Sequence, residues 1–374
     1  MAYQLSLHKG PAELELEILK AGLCTVCGAC LGLCPYFRVR KEKVILLESC
    51  GKTEGRCYEI CPRTRLDLED LNQKVFGRSR DDFVLGTHTG IFLAQSFSKK
   101  IQAKAQYGGV VTGLISWALS KKIIDGAILV GYSTRYSLLP EPALALGPEQ
   151  VLACAGSKYT SAPSLKILDY SLKHCKKLAF VGRACQVEAL RKRIVVEPEI
   201  GERIALIVGL FCMWSLDYRR ISEHLAEKMD LSQAKKFDIP YNRFVVYTGR
   251  GKKELDFEPI KGMRRATCDI CYDFTAELAD LSVGSTEWKD DWNTLIVRSE
   301  RGRRLVERAK KARALRLAEF PEEREALLRN ASLGKKQRVV KALFQDKTAR
   351  EYLAISDKEK EWIANAKPIS GVKK

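Results

Sequence analysis

The stretch that decides the fold runs KKLAFVG (176–182), CQVEALRKR (185–193) and RIALIVGLF (203–211). The first and last segments are short apolar runs that predict buried strands, and the middle segment has the spacing of a helix. A strand, a helix and a second strand in this order are typical of parallel strands joined by a helical crossover. The same alternation begins earlier, with a one-sided apolar helix at 109–122 and the strand AILVG at 127–131. The sequence therefore predicts an α/β domain with a mainly parallel sheet.

Outward from this segment, composition divides the chain into three predicted regions. Seven of the thirteen cysteines lie before Pro62, which indicates a cysteine-rich domain over residues 1–86. The motifs described below make this a ferredoxin-like iron-sulfur domain. The alternation of strands and helices places the α/β domain, which is expected to bind flavin and an iron-sulfur cluster, at 87–300, where residues 241–257 also have the pattern of a hairpin. A basic and mainly helical C-terminal region follows at 301–374.

Composition and charge argue against several classes of protein. Thirteen cysteines in 374 residues are too few for a disulfide scaffold, so we expect reduced thiols that act as ligands. No leader is evident, and the longest apolar run, at 204–214, has about half the length that spans a bilayer. We therefore expect a cytoplasmic protein with no membrane span. The net charge of +18 suits an acidic partner or a solvated helical face, and without interleaved aromatic residues we expect no nucleic acid partner.

The cysteine-rich domain contains the run CTVCGACLGLCP, spaced C-x2-C-x2-C-x3-C and followed by a proline. This spacing matches the bacterial ferredoxin run, in which the fourth cysteine binds a different cluster from the first three. A second run, ESCGKTEGRCYEICP, supplies three more cysteines. Because two such runs exchange their last ligands, one 4Fe-4S cluster is predicted on Cys24, Cys27, Cys30 and Cys61.

The remaining cysteines of this domain form an incomplete set. Cys34, Cys50 and Cys57 offer three thiolates, and Glu54 is at best a fourth ligand. The set could hold a three-thiolate 4Fe-4S cluster or a cluster with one iron fewer, or Cys50 could be a buried thiol. The alternative for the whole domain is structural zinc, which also uses C-x2-C pairs. Zinc ribbons separate two such pairs by a loop, however, and have no use for the closely spaced extra cysteines.

Four further cysteines occupy distinctive places in the α/β domain. Cys185 and Cys212 each follow the carboxyl end of a predicted strand, and Cys268 and Cys271 form the pair CDIC. Ligands gather at the carboxyl edge of a parallel sheet, so these four could close around one cluster. Taken singly, a cysteine at a strand end is more often an inert buried residue.

Several segments together resemble a known family, in order from about residue 20 to about residue 340. The family is that of the beta subunits of coenzyme F-420 hydrogenases and dehydrogenases, which includes the 7-hydroxymethyl chlorophyll a reductases. Besides the cysteine-rich domain, the segments that carry the resemblance are YGGVVTGLISWAL (107–119), AGSKYTSAPSL (155–165), FVGRACQVEALRK (180–192), GLFC (209–212), CDICYDFTAELADLSVG (268–284) and WNTLIVRSERG (292–302).

The resemblance implies an iron-sulfur flavoprotein. A protein of this kind is expected to carry FAD beside a 4Fe-4S cluster and to pass electrons between a two-electron carrier and one-electron centres. The implied ligands of the cluster nearest the flavin are Cys185, Cys212, Cys268 and Cys271, which raises the expected total to two or three clusters. Many relatives read G-T-P-C-Q where this chain has a Gly182-Arg183-Ala184-Cys185-Gln186 segment. Arg183 places a positive charge near the cluster or the flavin, so the electron donor is left in doubt.

Two glycine-containing segments are the candidates for binding FAD. A Gly-Gly pair directly before a helix allows close approach of a pyrophosphate to the helix amides, and the lysine of AGSKY suits a phosphate or an anionic flavin ring. The alternatives are an ordinary turn and a surface lysine beside a capped helix. The candidate cofactor residues are Gly108, Gly109, Val110, Thr112, Gly156, Ser157, Lys158 and Tyr159.

The predicted function is that of an oxidoreductase subunit. It transfers electrons between reduced deazaflavin coenzyme F-420 and the iron-sulfur centres of a partner, by way of FAD. The expected partners are redox subunits of a larger complex and a soluble hydride carrier or ferredoxin. The alternatives are NAD(P)H or ferredoxin as the electron source, an electron-transfer subunit with no soluble carrier of its own, and a zinc-containing nucleic-acid binder. No catalytic side chain is identified.

Overall fold

The computed structural model describes residues 9–240, 243–286, 288–289, 291–345 and 352–371. Its strands are numbered in chain order. They are β1 (Phe37–Arg40), β2 (Lys43–Leu46), β3 (Leu66–Asp67), β4 (Gly90–Ser96), β5 (Gly126–Tyr132), β6 (Pro140–Ala145), β7 (Leu178–Arg183), β8 (Ile204–Leu210), β9 (Ala234–Asp238), β10 (Phe244–Thr248), β11 (Gly251–Leu255), β12 (Leu281–Ser285), β13 (Asn293–Val297), β14 (Leu315–Glu319) and β15 (Leu353–Ala354).

The helices are numbered in the same way, with π-helical and 3-10 segments given by their bounds. The α-helices are α1 (Pro11–Leu14), α2 (Ala29–Leu33), α3 (Arg56–Glu59), α4 (Leu68–Phe76), α5 (Lys99–Gln102), α6 (Val110–Ser120), α7 (Pro148–Ala153), α8 (Leu168–His174), α9 (Ala184–Val196), α10 (Pro198–Arg203), α11 (Tyr218–Ala226), α12 (Phe257–Lys261), α13 (Glu300–Lys311), α14 (Glu322–Val340) and α15 (Asp357–Asn365). The π-helical segments are Glu15–Lys20 and Lys341–Gln345, and the 3-10 segments are Ser164–Ile167, Leu231–Gln233 and Ala266–Cys268.

An eight-stranded sheet organises most of these elements, in the order β14-β4-β13-β12-β8-β7-β5-β6. The central strands β12, β8, β7 and β5 are parallel, as the strand-helix-strand pattern predicts. The flanking strands pair antiparallel, β13, β4 and β14 on one side and β6 on the other. The α/β class is therefore confirmed, and the sheet is mixed, with its parallel pairing confined to the centre.

The sheet is buried on both faces because its central strands are apolar throughout. In β7, Phe180 packs with one core cluster while Ala179 and Val181 pack with another. Side chains of a strand alternate between the two faces, so the two clusters lie on opposite sides of the sheet. The fully apolar runs in the sequence reflect this double burial.

The cysteine-rich domain is a small layer that packs against the α/β domain. The β1–β2 hairpin lies between its two cysteine runs and pairs antiparallel. Gly28 adopts a φ of +89°, and a Cβ at this position would come within 2.6 Å of the Pro163 carbonyl oxygen. Only glycine permits this approach, which is reinforced where the Leu165 amide donates to the Cys27 carbonyl at 2.9 Å.

The predicted division at residues 86 and 300 stays a prediction, and two strand pairings cross it. Strand β14, from beyond residue 300, pairs with β4 in the large sheet, and β15 pairs with β3. The expectation of a solvated basic face is wrong for Lys335 and Lys336 in α14, whose residues are 2% and 0% exposed. They lie on the side of the helix that packs against the core.

One helix begins later than the sequence indicates. The apolar spacing predicts a helix over 161–175, whereas the structure has a 3-10 turn from Ser164 that leads into α8. Backbone groups before Ser164 form hydrogen bonds outside the helix. The Ser161 amide donates to the Glu42 carboxylate, and the Ala162 carbonyl accepts from the Gln186 amide group. Long-range partners therefore hold this segment in a non-helical form.

Candidate functional site

A cavity at the carboxyl edge of the sheet brings four distant cysteines together. Its lining includes Cys185, Cys212, Cys268 and Cys271, hereafter the cavity cysteines. The register between β7 and β8 pairs Gly182 with Gly209, so the two strands end side by side. Cys185 lies in the first turn of α9, directly after β7, and Cys212 follows β8. The predicted gathering at this edge is thus present in the structure.

The backbone around the cavity cysteines is fixed by hydrogen bonds. The Cys212 amide donates to the Phe274 carbonyl at 2.9 Å, and the Cys271 amide donates to the Cys268 carbonyl at 3.3 Å. The Ser215 amide donates to the Cys268 sulfur at 3.3 Å. An amide aimed at a sulfur favours a thiolate over a thiol, because it interacts with the negative charge.

Burial raises the pKa of Cys268, and Cys212 and Cys271 raise it further. Burial also raises the pKa of Cys185, although Arg183 partly lowers it. Left as protein alone, these groups would be protonated. A metal bound to the sulfurs reverses this preference, since a coordinating thiol is deprotonated.

Four cations line the same cavity: Arg63 and Lys335, which are buried, and Arg183 and Arg265, which are half-buried. The Lys335 ammonium donates to the Cys212 carbonyl at 2.6 Å and to the Asp273 carbonyl at 2.8 Å. The Arg183 guanidinium donates to the Ser161 hydroxyl at 3.0 Å. Burial lowers the pKa of Lys335 and Arg183. The facing cysteines in their thiolate form, together with Asp273 for Lys335 and Glu42 for Arg183, raise both by more, so each cation stays charged.

These cations are the observation that tests whether a cluster fits. Arg63 has a weak carboxylate contact, with Glu188 at 3.5 Å, while Arg183 and Lys335 donate to neutral oxygens at the distances given above. Buried charge is costly unless it is compensated. Four thiolates that share iron and sulfide would supply the missing negative charge. The donor set therefore fits a four-iron cluster.

A second group, Cys24, Cys27, Cys30 and Cys61, is hereafter the inner cysteines. Cys30 lies in α2, and Cys61 follows α3 by two residues. Burial raises the pKa of Cys30, and the thiols of Cys27, Cys24 and Cys61 raise it further. The two runs thus approach each other as a ferredoxin pattern requires, and the ligand assignment stays a prediction.

The remaining group, Cys34, Cys50 and Cys57, is hereafter the outer cysteines. Burial raises the pKa of Cys57 to about 11. The Tyr58 amide acts in the opposite direction, and Cys34 and Cys50 raise the pKa further. Cys50 is exposed and Cys34 is half-buried. Glu54 is also exposed, and its role as a fourth ligand stays a prediction.

The three groups follow one another through the molecule. Arg265 connects the first two, because it lines the cavity and donates to the Cys24 carbonyl at 2.9 Å. Thr25, next to Cys24, also lines the cavity. The inner and outer cysteines adjoin as well, since the Cys57 thiol contributes to raising the pKa of Cys30. The cysteines therefore form a continuous series from the cavity to the surface.

A buried carboxylate holds the cysteine-rich domain in this position. Glu42, at the turn between β1 and β2, accepts from the Ser161 amide and from the Tyr218 amide at 2.8 Å. Arg265 approaches the same carboxylate at 3.3 Å. Burial nevertheless raises the pKa of Glu42 to about 7. The hairpin turn is thus bound to the wall of the cavity.

The first glycine segment begins α6 as predicted. Gly109 has a φ of +70° at the N-cap, and a Cβ on Gly108 would meet the Ala94 carbonyl oxygen at 2.8 Å. The Val110 amide already has an acceptor in the Asn293 side chain, at 3.3 Å. Thr112, in the same first turn, is half-buried. The role of these residues in cofactor binding stays a prediction.

The second segment places its lysine differently from expectation. The Lys158 ammonium donates to the carbonyls of Cys154, Ala155 and Gly156, just after the end of α7. Burial lowers the pKa of Lys158 to about 8. Gly156 has a φ of +90° with open space around it, and the Ser157 carbonyl accepts from the Tyr132 hydroxyl. Lys158 thus caps the carbonyl end of a helix in this structure.

The two glycine segments approach each other through their tyrosines. Burial raises the pKa of Tyr159, and Asp238 raises it further. Tyr107, which is adjacent to Gly108, also raises the pKa of Tyr159. The Tyr159 hydroxyl donates to Asp238 at 2.9 Å. The Tyr159 carbonyl accepts from the Leu216 amide, near the cavity wall. A ligand bound by both segments would therefore lie on the cavity side of the sheet edge.

Among the described residues, no three or more His, Cys, Asp or Glu side chains are grouped to hold a single metal ion. A four-iron cluster binds each of its four thiolates to a different iron, so its ligands are spread more widely than those of one ion. Within the same part of the chain, no helix is both long enough and apolar enough to cross a bilayer.

Two family models match the chain, and both describe the beta subunit of coenzyme F420 hydrogenase/dehydrogenase. Residues 91–169 match the model of its N-terminal part, and residues 175–323 match the model of its C terminus. The chain belongs to this family. It is therefore an oxidoreductase of the F420 hydrogenase and dehydrogenase beta-subunit type, as the sequence motifs predict.

Individual relatives agree with this assignment. The coenzyme F420 hydrogenase subunit beta of Methanothermobacter thermautotrophicus is 35% identical over 61% of this chain and 84% of its own length. The coenzyme F420-dependent sulfite reductase of Methanocaldococcus jannaschii is 30% identical over 83% of this chain, which spans 51% of that protein. A chain of the F420-reducing [NiFe] hydrogenase complex from Methanosarcina barkeri superimposes with a TM-score of 0.67 at 28% identity, covering 72% of this chain and 96% of that one.

The cavity of this beta-subunit-type chain contains cations that the sequence pattern did not predict. Arg63 follows the Cys61-Pro62 pair directly, and this closeness to a predicted cluster ligand is the feature of the sequence that could have marked it as a cavity residue. Lys335 lies in α14 one turn from the buried Ser332 and Val339, so its place on the packed side could be found from helical spacing. Arg265 precedes the CDIC pair by three residues, and nothing in its surroundings in the sequence marks it as a cavity residue.

Proposed function

We propose that this chain is an iron-sulfur flavoprotein subunit of F420-linked electron transfer. It would carry electrons between reduced deazaflavin coenzyme F420 and the iron-sulfur centres of a partner protein. The series of cysteines from the cavity to the surface is the observation that supports this function best. Relatives named as F420 hydrogenase, F420H2 dehydrogenase and F420-dependent sulfite reductase support the choice of carrier.

In this proposal the cavity cysteines hold the 4Fe-4S cluster nearest the flavin. Arg63, Arg183 and Lys335 stabilise its negative charge, and the Ser215 amide orients the Cys268 sulfur. The inner cysteines hold a second 4Fe-4S cluster, and the outer cysteines hold a third with an incomplete set of thiolates. Thr25 and Arg265 line the cavity wall between the first two sites.

FAD is assigned to the two glycine segments beside the cavity. When bound, it would supply the conversion between a two-electron hydride and single electrons that the clusters accept. The chain's own contribution would be to bind and orient it. Gly108 and Gly109 permit close approach at the start of α6, and Gly156 leaves open space at the second segment. Lys158 would have to leave its backbone carbonyls before it could pair with a phosphate.

The occupied donors favour one second candidate. The Val110 amide and the Lys158 ammonium both already have acceptors within the protein. This is compatible with an electron-transfer subunit that has no soluble carrier of its own, in which the cysteines act without a flavin. The measurable difference between the two candidates is therefore the presence of flavin in the purified protein.

The experiment is anaerobic purification with iron, sulfide and flavin analysis, followed by addition of reduced F420 or NADH. We expect about one FAD and several irons per chain, and bleaching of the flavin by reduced F420 but not by NADH. Protein that contains iron and sulfide without flavin would support the second candidate. Flavin that is reduced by NADH alone would refute F420 as the carrier.

A further inference from the structure

The β1–β2 hairpin has a buried face and an exposed face. Phe37 and Val44 point inward and are 2% and 6% exposed, and they belong to the core cluster against which Cys34 packs. Strand alternation turns the neighbouring side chains outward. The outward residues, hereafter the hairpin face, are Tyr36, Arg38, Arg40, Lys43, Ile45 and Leu47, all exposed. The hairpin itself is therefore the single layer of structure between the outer cysteines and a protein bound to this face.

The two ends of the hairpin face differ in character. Tyr36 and Leu47 meet at the open end, where the Leu47 amide donates to the Tyr36 carbonyl at 2.9 Å, and Leu47 is 59% exposed. This apolar end adjoins the outer cysteines, since Cys34 comes two residues before Tyr36 and Cys50 three residues after Leu47. The cations lie toward the turn. The apolar surface is therefore next to the outer cysteines, with positive charge on its side toward the turn.

One cross-strand pair in this face is unfavourable for folding by itself. Arg40 lies directly opposite Lys43 in the register of the hairpin. Like charges directly opposite on neighbouring strands destabilise a sheet. A pair of this kind on an exposed ribbon is explained if a negative surface binds there.

The composition of the face selects among possible occupants. A second copy of this chain would bring the same cations together, and the overall charge of +18 adds to that repulsion. An acidic surface complements the cations toward the turn, and an apolar patch bordered by charged residues is typical of short-lived protein contacts. The neighbouring Cys50 is exposed, which suits a partner that exchanges electrons.

We propose that the hairpin face docks an acidic electron-transfer protein, which exchanges single electrons with the chain at the outer cysteines. This inference rests on the proposed function, because it assumes iron at those cysteines. Each transfer oxidises one reduced iron-sulfur centre by one electron and reduces the partner's centre by one electron. The cations toward the turn accelerate the encounter, and the apolar end holds the two centres close together.

The first test compares two acceptors that differ only in charge. The intact protein is reduced with dithionite, freed of excess reductant and mixed with cytochrome c whose lysines have been succinylated, which makes it acidic. Unmodified cytochrome c, which is basic, is the control acceptor. At low salt we expect reduction of the acidic form to be faster by about tenfold or more, because opposite charge steers the encounter. High salt should remove most of the difference.

Charge reversal locates the effect on the protein. The variant Arg40→Glu with Lys43→Glu should lose the preference for the acidic acceptor. The matched control is Lys252→Glu with Lys253→Glu on the exposed strand β11, which changes the net charge equally. That control should keep most of the preference. Equal loss in both variants would show a general effect of charge and would overturn the proposal.

The apolar end is tested by Leu47→Ser. We expect the acceptor concentration at half-maximal rate to rise by about tenfold, because a leucine is no longer buried on docking. The control is Leu146→Ser, since Leu146 is 54% exposed elsewhere on the chain. No change in the first variant, or an equal change in both, would exclude the apolar end from the contact.

The outcomes separate this inference from the proposed function. Because dithionite supplies the electrons, the tests need neither F420 nor a working flavin. Protein without iron at the outer cysteines would overturn this inference and the third cluster, and it would leave F420-linked electron transfer through the other two sites in place. Iron present together with unchanged rates in the Arg40→Glu, Lys43→Glu variant would overturn the docking face alone. If that variant instead lost only binding to phosphatidylserine vesicles, the face would be a lipid surface and the proposal would be wrong.

Discussion

The cavity cysteines and the outer cysteines use the same ligand in opposite environments. The cavity cysteines come from three separate parts of the chain and share their cavity with the cations Arg63, Arg183 and Lys335. The outer cysteines lie within 24 consecutive positions, from 34 to 57, and include the exposed Cys50. Negative charge at the cavity cysteines would be compensated by cations of the protein. Negative charge at the outer cysteines could be compensated by water.

The difference shows what a buried anionic cofactor demands of a fold. Taking charge out of water is unfavourable unless an opposite charge or hydrogen bonds replace the solvent. In the proposed function this demand is met by Arg183 at the end of β7, Lys335 of α14 and Arg63 of the cysteine-rich domain. The outer site needs few such contributions, which is consistent with its compact and local sequence pattern.

The largest effect expected is loss of the cavity cluster in Cys268→Ala. We expect iron to fall by about four atoms per chain, the content of one 4Fe-4S cluster, while the inner cysteines keep theirs. Iron and sulfide analysis with electron paramagnetic resonance measures this. Cys154→Ala, a thiol outside the three groups, is the control and should keep all its iron. Unchanged iron in Cys268→Ala would mean that the cavity cysteines hold no cluster.

An intermediate effect is expected for the rate at which iron is lost. In air with a chelator, wild-type protein should release iron in a fast phase from the outer cysteines and a slow phase from the buried sites, about tenfold apart or more, because solvent exposure controls oxidative attack. Cys57→Ser should remove the fast phase and leave the slow one. A single phase in the wild type would show that burial does not distinguish the sites.

The smallest effect expected is a shift in reduction potential. In Arg183→Thr the cavity cluster loses a nearby positive charge, which favours its less negative, oxidised form and lowers its potential by about 60 mV, equivalent to tenfold in a one-electron equilibrium. Redox titration followed by electron paramagnetic resonance measures this shift.

Two further variants assign that shift to charge at the cavity. Arg183→Lys should restore most of the potential, and Arg219→Thr, which alters an exposed arginine, should leave it unchanged. Equal potentials for Arg183→Thr and wild type would show that the cations of the cavity do not tune the cluster.

Much of the local structure follows from sequence pattern. The predicted helix at 109–122 is α6, the predicted strands at 127–131, 176–182 and 203–211 are β5, β7 and β8, and the glycine-containing hairpin is β10–β11. Each has a strong period or a turn signal within its own residues. The antiparallel strands β13, β4 and β14 could not be placed in the sheet this way, since their pairing depends on residues some 200 positions apart in the chain.

The candidate site likewise has features that could be predicted from the sequence and features that could not. The closeness of Cys185 and Cys212 in space could be expected, because adjacent parallel strands end at the same edge of the sheet. The capping of α7 by Lys158 could not, because AGSKY fits a phosphate contact equally well until the carbonyl positions are known.

The sequence by itself determined the α/β class, the spacing of the ferredoxin-like runs and the membership in the beta-subunit family, because each rests on residues close together or on motifs in a constant order. Only the tertiary structure decided which charges face which thiols. Arg63 and Lys335 are 272 positions apart and share one cavity. Whether a lysine lies in water or beside a buried sulfur depends on packing between distant elements, and that contact leaves no local pattern in the chain.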